Sequence, residues 1–207
     1  MTSPTSARVR RLPWWVWVIA VIAALVGIVA ALGGFGSIPE SKLPKIPLGE
    51  KFTGGEVSSV VERVWVSNQL PTNEEFASEG EQFLIVQTRL ENVKNLPSQF
   101  VGDALRVEVP GVIEATTDPD NVLDQLRGTH ATFLPTGIET TIDFIWVIPD
   151  GSIAEGDTVY LGILDQFRVY GDPTFGDGAF TRPQPVALLE TTIVDVETVE
   201  PPEELTF

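Results

Sequence analysis

IETTIDFIWVIP, residues 138–149, sets the fold class, because apolar side chains recur at Ile142, Phe144, Trp146 and Ile148. A period of two puts those four on one face of an extended strand, with Thr141 and Asp143 beginning the opposite face. Four large side chains in register make that face a core face, so the strand needs a second layer to pack against.

Working outward, the same period recurs in several short runs separated by Gly, Pro, Asn and Asp. FLIVQTRLENV (83–93) aligns Leu84, Val86, Thr88 and Leu90 against Gln87 and Arg89. ALRVEVPG (104–111) aligns Leu105, Val107 and Val109 against Arg106 and Glu108. TVYLGILDQFRVY (158–170) turns Val159, Leu161 and Ile163 inward and leaves Tyr160 and Arg168 on a solvated or partner-facing side. VSSVVERVWVSN (57–68) and VALLETTIVDVE (186–197) alternate less regularly, which a bulge or burial on both faces would produce. NVLDQL (121–126) reads as a short helical turn, with Asp118 or Asp120 as its cap. No long run has helical periodicity beyond the N-terminal region, so the expected fold is an all-β, antiparallel sandwich.

That sandwich is preceded by a different kind of segment. Trp14 to Leu32 carry no charge, and as a helix they would span about 28 Å, the thickness of a bilayer's hydrocarbon. A cleaved leader has a shorter apolar core and a better small-x-small signal than Ala31-Leu32-Gly33, so the reading favours a retained transmembrane helix over 13–33. Arg8, Arg10 and Arg11 precede it, and Trp14, Trp15 and Trp17 sit at their end of the span, so residues 1–12 are expected in the cytoplasm. Everything beyond would be extracytoplasmic: a Pro/Gly-rich stalk at 34–51, the sandwich at 52–196, and an acidic tail at 197–207. Ala23, Gly27 and Ala31 form a small-residue row suited to a helix-mediated homodimer.

Composition narrows the chemistry. The formal charge is −16, and the three arginines before the span make the remainder more acidic still. Nucleic acid and anionic lipid, which carry the same sign, are disfavoured as partners, and solubility is the simplest use of so much acid. There is no cysteine, hence no disulfide, thiolate metal site, cysteine nucleophile or lipid-modified cysteine. His130 is the only histidine, so it cannot head a zinc site. Two acidic loops offer oxygen ligands for a hard cation, one with Asp118, Asp120 and Asp124 and one with Asp172 and Asp177, but neither has the spacing of a calcium loop. LPTG (134–137) reads as a turn, and GDG (176–178) lacks the context of a nucleotide fingerprint. No catalytic residue, cofactor or metal is assigned.

Three pieces together resemble a known family: FLIVQTRLENV ending near Asn92, LPTG followed by IETTIDFIWVIP, and LGILDQF with its Asp165. They are similar to the telokin-like, immunoglobulin-fold extracellular domains of bacterial membrane proteins and lipoproteins, many of unknown function. The resemblance covers about half of the exported part and implies an immunoglobulin-like sandwich outside the cell, without functional residues to carry over. This chain departs from the lipoprotein members in having no lipid-bearing cysteine, so its helix would serve as the anchor in membrane lipid. The expected function is a non-enzymatic binding or assembly module at the cell envelope, engaging a membrane-protein or envelope partner. The alternative is an envelope hydrolase working through paired carboxylates.

Overall fold

The computed structural model describes residues 43–71, 75–94, 101–166, 168–169 and 179–200. The expected span at 13–33, its Ala23, Gly27 and Ala31, the loop carrying Asp172 and Asp177, and the tail beyond 200 lie outside them. Among the described residues no helix is long and apolar enough to cross a membrane.

The described chain forms strands β1 (Phe52–Thr53), β2 (Val57–Ser67), β3 (Glu81–Asn92), β4 (Leu105–Glu108), β5 (Asn121–Asp124) and β6 (Thr129–His130). It continues through β7 (Glu139–Pro149), β8 (Thr158–Asp165), β9 (Arg168–Val169), β10 (Ala179–Phe180), β11 (Gln184–Thr192) and β12 (Val196–Glu197). The larger sheet runs β1-β2-β3-β7-β5-β6 with β12 also on β2, the smaller runs β11-β8-β4, and β9 pairs with β10. Pairing between these strands is antiparallel except for β12 on β2.

The core lies between the two sheets and follows from the alternation. Phe144 on β7 stands beside Val86 on β3 and Val122 on β5, and Val86 stands beside Val64 on β2, so one apolar row crosses four strands. Trp146 continues the next row with Leu84 and Val66. From the smaller sheet, Leu161 meets Val107 and Leu189, and Ile163 meets Leu105 and Ala187. These belong to one buried cluster, as expected for cross-strand pairs that share a face.

The reverse face of the larger sheet is also partly covered. Trp65, Phe83, Ile85, Leu123 and Ile145 form a second buried cluster with Leu70, against which Ala77 packs. Leu70 and Ala77 come from the β2–β3 connection, which folds back through Leu70 N–H to the Glu75 carbonyl and Ala77 N–H to the Asn68 carbonyl. Asp143, read as part of an outward face, is fully buried there too. Both explanations for the irregular 57–68 run hold at once. Glu62 is a bulge between Val61 and Arg63, and β2 is buried on both sides.

Three expectations are corrected. NVLDQL does not make a helical turn: its first four residues are β5, because Val122 and Leu123 find cover on opposite faces of the sheet. The stalk expected at 34–51 gives up its described end to the domain. The Leu188 N–H donates to the Pro44 carbonyl and the Ile46 N–H to the Leu188 carbonyl, while Ile46 packs on the core. That edge uses the N–H of Ile46, so the missing donors at Pro44 and Pro47 interrupt nothing. Finally, Glu197, expected to open a frayed tail, lies in β12 alongside Ser67.

Candidate functional site

The residues that the sequence brought forward are each taken up separately. Asp118 pairs with Arg106 at 2.5 Å. Asp120 accepts the Val147 N–H at 2.7 Å. Asp124 accepts the N–H groups of Leu126 and Arg127 at 3.0 and 3.1 Å, closing the turn after β5. The three carboxylates thus serve separate partners, and no group of three His, Cys, Asp or Glu able to hold a metal occurs among the described residues. His130 is exposed on β6 with Nδ1 3.2 Å from Asn121 Oδ1.

LPTG is fastened to the end of β3, with Thr136 bridged to Asn92 and the turn confined to Gly137. The Gly137 N–H donates to the Asn92 carbonyl, Asn92 Nδ2 donates to the Leu134 carbonyl, and Leu134 is buried. Gly137 has φ of +65° with open space where a side chain would begin, so only backbone preference is at stake. Gly137→Ala is expected to lower stability by about 1 kcal/mol, read from a shift in the urea midpoint at unchanged slope.

A concave surface lies elsewhere, on the outer face of the smaller sheet. Cross-strand register sets out its rows. Glu108, Tyr160 and Glu190 lie side by side across β4, β8 and β11, and Arg106, Gly162 and Leu188 form the next row. Because Gly162 has no side chain, the second row is hollow at its centre. A groove of about 300 Å³ results, lined by Leu43, Arg106, Tyr160, Gly162, Leu164 and Leu188 among others. A recess of about 190 Å³ adjoins it, reaching Lys45, Glu108 and Glu190. Tyr160 and Leu188 are 40% and 39% exposed, large apolar surfaces left uncovered on one small sheet.

The groove's walls are fixed by polar contacts behind them. Arg106 is held by Asp103 at 2.8 Å, by Asp118, and by its own donation to the Leu105 carbonyl. Its aliphatic stem is thereby kept as a wall, with its charge neutralised. Lys45 lies 3.5 Å from Glu190 at the far rim. The groove is thus mainly apolar, with the ion pairs of Arg106 and Lys45 on its rim. Of its residues, sequence reading had marked Tyr160. A glycine inside an otherwise regular strand was the further signal, since such glycines often mark close approach.

No family model matches the chain, and no curated protein is significantly similar to it. Among solved structures, an uncharacterized β-sandwich protein from Clostridium difficile is similar in fold, with 14% identity and a TM-score of 0.50 over 74% of this chain and 97% of that one. A lipoprotein candidate from Bacillus subtilis is matched at 11% identity and a TM-score of 0.38 over 69% of this chain, which spans 38% of that protein. The first likeness carries the β-sandwich fold.

Proposed function

We propose that the chain is a single-pass membrane protein presenting an immunoglobulin-like sandwich outside the cytoplasmic membrane, where it acts as a non-enzymatic binding or assembly module. The span at 13–33, the arginines before it and the resemblance support the topology. The hollow row Arg106–Gly162–Leu188 beside exposed Tyr160 carries the binding reading. Its occupant is a segment of a neighbouring membrane or envelope protein that seats an apolar side chain over Gly162.

Gly162→Val tests this without unfolding the domain. A Cβ at 162 meets nothing closer than Leu164 Cδ1 at 3.7 Å, an ordinary contact. A β-branched residue also suits the middle of a strand better than glycine, so stability should be unchanged or rise by up to about 1 kcal/mol. A photo-crosslinker at Leu188 in intact cells should give one discrete adduct, and a crosslinker at Val147, exposed on β7, should not. Gly162→Val should abolish the adduct. An adduct that survives the filled groove, or none at either position, removes the proposal.

One observation favours the hydrolase alternative: Glu108 and Glu190 share a face. Two strand spacings put their backbones about 9.5 Å apart, near the upper end of the range for inverting glycosidases. Tyr160 stands between them in the same row, however, on the ground a reacting water needs, which favours binding. Glycan or peptide turnover that falls on Glu108→Gln and Glu190→Gln would reverse that order.

A further inference from the structure

We propose that the β2 edge from Arg63 to Asn68 is a binding site for an extended acidic peptide, and that residues 195–199 are its tethered, exchangeable occupant. The edge recognises three features. Arg63 Nη2 donates to Asp195 Oδ2 at 2.8 Å and to Glu197 Oε1 at 2.6 Å, so it reads carboxylates two residues apart on one side of a strand. Val66 and Asn68 donate their N–H groups to the carbonyls of Asp195 and Glu197 at 3.1 and 3.4 Å. The Asn68 side chain closes the site on a single residue, accepting the Val199 N–H at 2.8 Å and donating to its carbonyl at 2.9 Å. This is strand addition with side-chain specificity at both ends.

The segment's own apolar groups are only partly covered. Val194, Val196 and Val199 remain 51%, 40% and 38% exposed, whereas Ile193, just before them, is 1% exposed. Ile193 is also fixed by the backbone, donating to the Asp157 carbonyl and accepting from the Gly156 N–H. The chain is therefore pinned at Ile193 and held beyond it by hydrogen bonds and exposed ion pairs, which places its opening at the low end of the local stability range. Arg63 lies 4.6 Å over the Trp65 ring, so the fork stays in place when the segment leaves. Asp195 above all, with Glu197, raises the guanidinium pKa while the segment is in place, and an arginine keeps its charge without them.

The probe is a fluorescein-labelled peptide of residues 194–200, VDVETVE, titrated against the full chain in detergent. In the wild type the tethered segment competes at an effective concentration in the millimolar range, so the peptide should bind weakly. In the full-length D195N/E197Q variant, whose own segment has lost its charge-assisted bonds, the peptide should bind about 10-fold tighter or better. Adding Arg63→Ala should abolish that binding, and the peptide VNVQTVE should fail on every form. Equal affinity for wild type and variant, or no binding to either, overturns the proposal. Hydrogen exchange on the wild type gives an independent check. The Val66 and Asn68 amides should exchange about 100-fold or more faster than the Trp65 amide and slow when peptide is added. Equal protection would make the segment a permanent strand and overturn the proposal as well.

Discussion

Trp146→Ala is expected to lower the stability of the domain by about 3–5 kcal/mol, with a fall in melting temperature on the order of 10 °C. Trp146 is the largest of the fully buried side chains, at 1% exposure, and lies in the row with Leu84 and Val66. Truncation removes its transfer free energy and leaves a cavity that strands fixed by ladder bonds on both sides cannot close. A second loss adds to this. The indole Nε1 donates to the Thr117 carbonyl at 3.3 Å, tying the segment before β5 to the core. Trp146→Phe keeps most of the packing and loses that bond, so it should cost about 1–2 kcal/mol. Urea unfolding followed by circular dichroism would separate the two contributions. A Trp146→Ala cost under about 1 kcal/mol would mean that the inter-sheet core is not packed as described.

The stretch containing Trp146 was readable for the same reason that it matters. Burial against one layer imposes a period of two, and Ile142, Phe144, Trp146 and Ile148 all fall in the main core. The inward sides of β4 and β8 were legible on the same ground. The second cluster was not, because Leu70 and Ala77, which help cover it, come from a connection without period. The run Phe83–Val86 is apolar at four successive positions and signals burial on both faces, yet it does not say what provides the cover. The groove was half legible. Tyr160 and Gly162 are local features, but Arg106 and Leu188 join them only through register between strands far apart in sequence. Asp118, Asp120 and Asp124 look like a cluster in sequence, and the start of β5 sends each to a different partner. β12 was hidden by composition, since prolines and glutamates dominate that end while its recognition elements, Arg63 and Asn68, lie some 130 residues earlier.

Asp165→Ala and Gly54→Ala are each expected to destabilise the domain strongly, and the two effects should not add. Asp165 ends β8 in the smaller sheet, is 1% exposed, and accepts the Glu56 N–H through both oxygens at 3.3 and 3.1 Å. It also accepts the Gln166 N–H at 2.7 Å. The β1–β2 turn of one sheet is thus fastened to a strand of the other by a buried carboxylate, and removing it leaves those donors without this acceptor. A cost of about 2–4 kcal/mol follows. Gly54 lies under the same carboxylate: a Cβ there would stand 2.0 Å from Asp165 Oδ2 and 3.0 Å from Cγ, an overlap that only displacement of the turn or the carboxylate can relieve. Gly54→Ala should therefore cost about 2 kcal/mol or more by breaking the same tie. In an Asp165→Ala background, Oδ2 and Cγ are gone and the nearest remaining Asp165 atom is Cβ at 3.4 Å, an ordinary contact. There, Gly54→Ala should cost little, giving a coupling of about 1–3 kcal/mol in a double-mutant cycle. Independent costs that simply sum would show that Gly54 is glycine for some other reason. Coupling of the expected size would identify the pair as a tie between the two sheets, and would give the Asp165 of the LGILDQF run a structural role.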